Sequence, residues 1–430
     1  MRLVMVVTSF PRLSETFLVN KFIGLHDKGI DVHVVCSSIN REDMQYFPGL
    51  TNRSRLRSRI HRAPPHRPRW LAGLLALPVF IRTLLANPVG TVRYFQTGHR
   101  ITGQSILKRL YLDSGILVIR PDIVHFEFGA QVSGIRTLKH ALQCKVVVSF
   151  RGYDLNYHGL ENPGHYQEVW GEADALHLLG ADLWRRAQIR GCPPSKPHVL
   201  IPPAIDIKFF SRPASGGRPA VTRGGPIRIL SVGRMEWKKG YEFALQAIHF
   251  LLDDGIACEY RIVGDGSYLH ALAFAVHQLR LDDSVKLLGA LSPAEVKGQL
   301  AHADIFLHAA VSEGFCNAVL EAQAMNLPVV CTDADGLPEN IEDGVTGFVV
   351  RRRDSRALAE KLSVLAGDPA LRLRMGEAGR NRVAEKFQLE QQVMAFESLY
   401  VHLHSGELLN QESTGSLVDC VHHAAPMEKT

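Results

Sequence analysis

The stretch Val311 to Val330, VSEGFCNAVLEAQAMNLPVV, carries the chain from one apolar strand to the next through a loop and a helix. Ile305, Phe306 and Leu307 form the strand before it. Ser312 to Cys316 make a glycine-containing loop, a helix runs from about Asn317 to Met325, and Pro328 to Cys331 are the next buried strand. Such a loop leaves backbone N–H groups free at a helix N-terminus, where the helix dipole favours an anionic phosphate. Glu313 and Glu321 would repel that phosphate, but carboxylates are well suited to accept hydrogen bonds from hydroxyls. A ligand that joins phosphate to hydroxyl pairs is a nucleotide sugar. Acidic residues are also favoured as plain solvated charges at a helix start, and on these residues alone the two readings weigh equally.

The surrounding chain has 430 residues, more than one core usually supports, so two domains are expected. The seven cysteines (36, 144, 192, 258, 316, 331 and 420) are scattered without metal-ligand spacing, which favours a reducing cytoplasmic setting over disulfides or structural zinc. Met1 to Val7 reads as a first buried strand, too short for a signal peptide. The net charge of +6 is unevenly spread: twelve Lys or Arg and no acid lie between Met44 and Leu112, while the remainder carries 37 basic and 43 acidic residues. Seven arginines fall between Arg53 and Arg69, among prolines. A mobile basic segment followed by the apolar Trp70 to Ile81 suits an anionic membrane surface through residues 53–82; a solvated loop before a core helix is the plain alternative. Few aromatics stand ready for base stacking, so nucleic acid is not an expected partner.

Taken in order, a strand from Leu3 to Val7 leads through FPRLSETF (Phe10 to Phe17) into an amphipathic helix from Ser14 to Lys28, and Ile30 to Cys36 is the second strand. This opening predicts a doubly wound sheet with ligands at the strand carboxyl ends. There is no G-x-G-x-x-G; VGDGSYL around Gly264 holds only the first two glycines, which disfavours a dinucleotide-binding dehydrogenase. Strands follow at Asp122 to Phe128, at Lys145 to Phe150 (entering RGYD) and at Ser195 to Ile201. SRPASGGRPAVTRGG, from Ser211 to Gly225, reads as a linker. The second half opens with Ile227 to Val232 and GRMEWKKG, continues through Glu259 to Val263 into GDGS, and ends in a helical piece from Leu371 to Leu403 and a polar tail from Ser405, expected to be disordered.

The order of residues from Ser312 to Gly347, SEGFCNAVLEAQAMNLPVVCTDADGLPENIEDGVTG, resembles the signature of glycosyltransferase family 4, retaining enzymes of the GT-B fold. FPRLSETF resembles the opening of family members that build bacterial exopolysaccharides, with Phe10-Pro11 where many relatives have Gly-Gly. The chain departs from the pattern at Asn326, where glycine is usual; asparagine tolerates the same left-handed helix end.

The resemblance implies an α/β protein of two Rossmann-like domains facing a cleft: 1–210 on the acceptor side, a 211–226 linker, 227–384 for the donor, a helix near 385–404 packing back on the first domain, and a 405–430 tail. It implies Arg234 and Lys239 on the donor diphosphate, with Lys238 as the competing alignment. Gly233, Gly264, Asp265 and Gly266 would line the nucleotide, the amides of Gly314, Phe315, Cys316 and Asn317 would hold phosphate or sugar oxygens, Glu313 would bind the hexose and Glu321 the ribose. His125 would face the donor sugar. Ser14 and Glu15, with Arg151 and Asp154 of RGYD, would stand on the acceptor side; Arg151 replaces the family's histidine. No metal or other cofactor is implied beyond the nucleotide-diphosphate sugar as co-substrate, and Asp333 and Asp335, the one Asp-x-Asp, read as structural. The implied reaction moves a hexose to a saccharide acceptor; the acid-free basic segment Met44 to Leu112, on the acceptor side, adds the expectation that the acceptor is lipid-linked and that the enzyme sits peripherally at the inner face of the cytoplasmic membrane. An epimerase or phosphorylase of the same fold, or a silent partner in a polysaccharide assembly complex, are the competing readings; the intact Arg234, Lys239, Glu313 and Glu321 argue against the last.

Overall fold

The computed structural model describes residues 1–65, 67–98, 106–212 and 225–406. Most of the expected linker and of the polar tail lies outside these residues. The chain forms two compact units, one of Met1–Ile201 with the helix Leu389–Ser405, the other of Pro202–Gln388.

The first unit is a seven-stranded sheet. Its strands are β1 (Arg2–Phe10), β2 (Asp31–Ile39), β3 (Ile60–Arg62), β4 (Ile123–Phe126), β5 (Lys145–Phe150), β6 (Ala175–Leu178) and β7 (His198–Leu200). They are parallel in the order β3-β2-β1-β4-β5-β6-β7. Central strands of such a sheet are covered on both faces, which is why VMVV and VVVSF read as unbroken apolar runs. The helix Thr16–Asp27 buries Leu18, Phe22 and Leu25 against the sheet, and the terminal helix adds Val393, Phe396, Leu399 and Tyr400 to the same core. The helix Thr16–Asp27 begins after a 3₁₀ turn at Leu13–Glu15, with Glu15 at its N-cap; the side chain of Ser14 lies outside the described residues.

Two expectations change here. The basic stretch read as mobile is folded: short helices at Pro48–Thr51 and Ser54–Arg57 bury Leu50 and Leu56 and deliver β3 to the sheet edge. Arg53 pairs with Asp27 at 2.5 Å and Arg59 with Asp31, anchoring to the first helix and β2 the turns that the apolar residues already hold. The unit boundary falls at Ile201 instead of 210, because Ile205 donates to the Phe387 carbonyl at 3.1 Å and pairs with Gln388. At that point the predicted single terminal helix breaks into Pro369–Lys386 and Leu389–Ser405.

The second unit is a six-stranded sheet of β8 (Ile227–Val232), β9 (Cys258–Val263), β10 (Val285–Leu287), β11 (Ile305–His308), β12 (Val329–Thr332) and β13 (Gly347–Val350). All are parallel, in the order β10-β9-β8-β11-β12-β13. The helix Asn317–Ala324 ends with Asn326 at φ 58°, the left-handed position expected from its side chain. The Leu327 amide donates to the Ala322 carbonyl and the Asn326 amide to Gln323, the paired bonds of a Schellman end.

Candidate active site

In a doubly wound sheet the loops part at the strand pair where the winding direction reverses, and ligands bind there. In the second unit that pair is β8 and β11. The loop after β8 carries Gly233 to Lys239, and the loop after β11 carries Glu313; the Lys239 ammonium is ion-paired with the Glu313 carboxylate. The Lys238 carbonyl accepts from the amides of Val311 at 2.8 Å and Ser312 at 3.3 Å, stitching the two loops together. This separates the two lysines: Lys239 turns inward to Glu313, whereas Lys238 pairs with Glu236 at 3.1 Å. Arg234, 63% exposed, also rests on Glu236, at 2.9 Å.

The electrostatics follow from this packing. Burial opposes the charge of Glu313, but Lys239 and His308 outweigh it and hold the carboxyl down at about 2. Burial likewise works against Lys239, and Glu313 overcomes it, so the ammonium stays charged. Glu321 has no such partner. It is half-buried, burial raises its pKa to about 7, and among the described residues it makes no ion pair.

The glycines of GDGS serve close backbone approach. Gly264 has φ +144°, and a Cβ there would collide with the Gly233 carbonyl; Gly266 stands in the same relation to Met235. The Met235 amide donates to the Asp265 carbonyl at 2.9 Å, so the GDG loop and the β8 loop form one surface, with the Asp265 carboxylate bonded to the Gly266 amide at 2.7 Å. Gly264→Ala should therefore displace the Gly233 to Lys239 loop. A loss of about 1–3 kcal/mol in denaturant unfolding is expected, with weaker nucleotide binding by titration calorimetry.

Not every expected contact is available. The Cys316 amide is taken by the Asn340 side chain at 3.1 Å, which also donates to the Cys316 carbonyl at 2.9 Å; this buried clamp sets the start of the Asn317 helix. The amides of Gly314, Phe315 and Asn317 have no hydrogen-bond acceptor among the described residues. Asp333 and Asp335 are both paired with Arg352, at 3.3 and 3.0 Å. His308 Nε2, a Glu313 oxygen and Cys316 Sγ lie within 4.8 Å of one another, a set that could hold a metal ion and that the cysteine spacing did not reveal. The Lys239 ammonium already sits on the Glu313 member of it.

In the first unit the reversal falls between β1 and β4. His125, expected to face a donor sugar, is instead fully buried: its ring nitrogens meet Tyr400 Oη at 2.6 Å, Lys21 Nζ at 3.1 Å and Ser149 Oγ at 2.7 Å. Burial, and then the nearby Lys21 charge, hold its pKa well below the ordinary histidine value. Buried Glu127 bonds Lys21 at 2.6 Å, and Arg151 stands 3.6 Å from its other oxygen while stacking on Phe17 and Phe128. Asp154 is buried as well and accepts from the amides of Ala130 and Arg151, both at 2.8 Å, tying the loop after β4 to the loop after β5. His125 is thus enclosed by the terminal helix through Phe396 and Tyr400, while Asp154 holds two loops together. Glu15 pairs with Arg12 at 3.2 Å. Lys21 and Glu127 escaped the sequence reading; the available signal was a lysine on the apolar face shared by Leu18, Phe22 and Leu25.

Two parallel-sheet α/β units, the second with the Lys239–Glu313 pair at its switch point, have the architecture of the GT-B class of glycosyltransferase. Residues 218–382 match the family model described as glycosyl transferases group 1. The amylovoran biosynthesis glycosyltransferase AmsK of Erwinia amylovora is 32% identical over 88% of this chain and 92% of its own length. WcaL of Escherichia coli K12, assigned to colanic acid biosynthesis as a glycosyltransferase, is 30% identical over 83% and 88%. The chain belongs to this glycosyltransferase family. Among solved structures, sucrose-phosphate synthase of Thermosynechococcus elongatus superposes with a TM-score of 0.70 at 16% identity, covering 95% of this chain and 100% of that one. Anabaena HepE in complex with UDP and glucose superposes at 0.68 with 15% identity over 93% and 99%.

Proposed function

We propose that this protein is a retaining glycosyltransferase that moves a hexose from a nucleoside-diphosphate sugar to a lipid-linked saccharide during exopolysaccharide synthesis, acting in the cytoplasm at the anionic inner face of the membrane. The observation that carries the reading is the inward-facing Lys239–Glu313 pair at the β8–β11 reversal, with exposed Arg234 beside it. Glycosyl transfer builds positive charge on the sugar ring and negative charge on the departing phosphate. Fixed cations at the phosphate help the transition state more than the ground state. Arg234 and Lys239 serve the diphosphate, Glu313 the hexose hydroxyls and Glu321 the ribose, with the free amides of Gly314, Phe315 and Asn317 on phosphate or sugar oxygens. The acceptor oxygen bonds to the anomeric carbon on the face from which the phosphate oxygen leaves, and that oxygen takes the acceptor's proton. His125 has no part in this scheme, since its ring is enclosed.

Relatives support the setting: AmsK is named for amylovoran synthesis, and HepE was captured with UDP and glucose. The test of the reading is release of nucleoside diphosphate and appearance of a glycosylated lipid-linked acceptor from a labelled sugar donor. Hydrolysis alone, with no acceptor product, would count against it.

Metal independence is part of the proposal, because two fixed cations can do the work of a divalent ion at the diphosphate and Asp333 and Asp335 are engaged with Arg352. Turnover in excess EDTA should stay within about twofold of the untreated rate. Activity abolished by EDTA and restored by magnesium or manganese would reassign the diphosphate contacts.

A further inference from the structure

The helix Arg69–Ala86 in the first unit turns its apolar side outward. Trp70, Leu74, Leu77, Ile81, Leu84 and Leu85 are 67, 68, 67, 49, 47 and 77% exposed. Steps of four, three, four and three residues from Trp70 to Leu84, with Leu85 four beyond Ile81, put them in one stripe. Val89 and Val92, exposed on the following helix Pro88–Gly98, continue it. A surface helix of a globular protein normally faces its apolar stripe inward, and a patch this extended marks a binding surface.

The other side of the helix is committed to the protein. Phe80 meets the edge of Tyr111 at 6.4 Å, Thr83 is buried, the Ala86 carbonyl accepts from Arg120, and Asn87 just beyond donates to the Leu117 carbonyl at 3.1 Å. Around the stripe, Arg67, Arg69, Arg82 and Arg93 are exposed, and among the described residues none of them is ion-paired. Arg53 and Arg59, by contrast, are occupied by Asp27 and Asp31. The cations available to an outside anion therefore include those beside the apolar stripe, together with Arg55, Arg57 and Arg62 on the segment before it, which are exposed and make no ion pair among the described residues.

We propose that the Arg69–Ala86 helix is an in-plane lipid anchor, with the stripe from Trp70 to Leu85 in the acyl boundary of an anionic bilayer and Arg67, Arg69, Arg82 and Arg93 on the lipid phosphates. This rests on the reading of the protein as a membrane-associated enzyme and names the surface that makes the contact. The helix has 18 residues, about 27 Å at roughly 1.5 Å per residue. By length and composition alone it could cross a membrane, but crossing would tear the Phe80, Thr83 and Ala86 side from its partners in the first unit. A second copy of the chain is the wrong occupant, since a self-complementary interface would set this arginine rim against itself. Anionic lipid complements both the stripe and the rim.

The experiment uses the full chain and vesicles of phosphatidylcholine with and without phosphatidylglycerol. Co-sedimentation is read alongside Trp70 emission and its quenching by lipids brominated at shallow or deep acyl positions, with Trp70→Phe identifying the signal. The wild type should bind the anionic vesicles, shift its Trp70 emission to the blue and be quenched by shallow bromines. Leu74→Glu with Leu77→Glu should lower partitioning at least tenfold, with thermal unfolding and transfer to a water-soluble acceptor unchanged. Changing Arg67, Arg69, Arg82 and Arg93 to Ser should weaken the preference for anionic lipid at least tenfold, whereas Arg53→Ser with Arg59→Ser should bind as the wild type does. Wild-type indifference to all vesicles would sink the membrane reading and the anchor with it. Vesicle binding unchanged by the paired Leu→Glu variant would leave the membrane reading standing and overturn the anchor. Equal quenching from deep bromines would overturn the in-plane orientation, and a lipid-free dimer dissolved by Leu74→Glu would assign the stripe to a second copy.

Discussion

Lys239→Ala is expected to lower kcat by about 10² to 10³, the usual consequence of removing one electrostatic contact to the charge that develops in a transition state. The effect has a second part, because Lys239 is also the cation that keeps Glu313 ionised in a site where the two side chains are only 12 and 15% exposed. Without it, the carboxylate must stay charged with only His308 beside it or take up a proton, and breaking such a pair by removing one partner typically costs about 3–5 kcal/mol. The sign with pH follows from the lowered pKa of Glu313. A carboxyl held near 2 stabilises the folded protein above its ordinary value of 4.5, and that contribution is lost as the pH falls from 4.5 through 2. The Lys239→Ala protein should thus be less stable than the wild type at pH 7, and the gap should narrow below pH 4. Steady-state kinetics and urea unfolding across that range check both parts. A variant with normal kcat would remove Lys239 from the diphosphate, and a stability gap independent of pH would mean that the pairing with Glu313 contributes little.

Glu313→Gln and Glu321→Ala should fail in different ways, since one residue is assigned to the reacting sugar and the other to a distant ribose. Glu313→Gln should depress kcat with little change in nucleoside diphosphate affinity. Glu321→Ala should weaken that affinity by roughly 10- to 100-fold, the worth of about 1.5–3 kcal/mol for hydrogen bonds to a charged acceptor. The environment of Glu321 adds a pH signature. Its carboxyl is raised to about 7 by burial, so binding of the nucleoside diphosphate should strengthen as the pH rises through 7 and the group becomes an acceptor on both oxygens. For folding, the sign is reversed: a raised carboxyl pKa means that the contribution of Glu321 to stability declines between pH 4.5 and 7. Calorimetric titration from pH 6 to 8 with wild type and Glu321→Gln tests the assignment. The wild-type slope should vanish in the variant, and the same slope in both proteins would take the ribose away from Glu321.

Much of this protein could be read from the order of its residues. Apolar runs such as VMVV and VVVSF mark strands buried on both faces, a pattern set by the backbone period and by burial, and therefore local. Asn326 at a helix end implied a left-handed turn because few side chains tolerate one, and φ is 58° there. The motif from Ser312 to Gly347 carried the family. What the order of residues could not carry was which groups meet across the sheet. His125 at a strand end looks like a ligand-facing residue until Phe396 and Tyr400, some 270 positions away, close over it. Lys238 and Lys239 are indistinguishable as neighbours in a basic turn; only the pairing of the β11 loop with the Lys238 carbonyl turns one toward Glu313 and the other toward Glu236. The same holds for the seven clustered arginines, which look equivalent in sequence although Asp27 and Asp31 claim two of them. Charge pairing and enclosure are contacts between distant segments, and their energies depend on distance and desolvation, so the tertiary structure alone decided them.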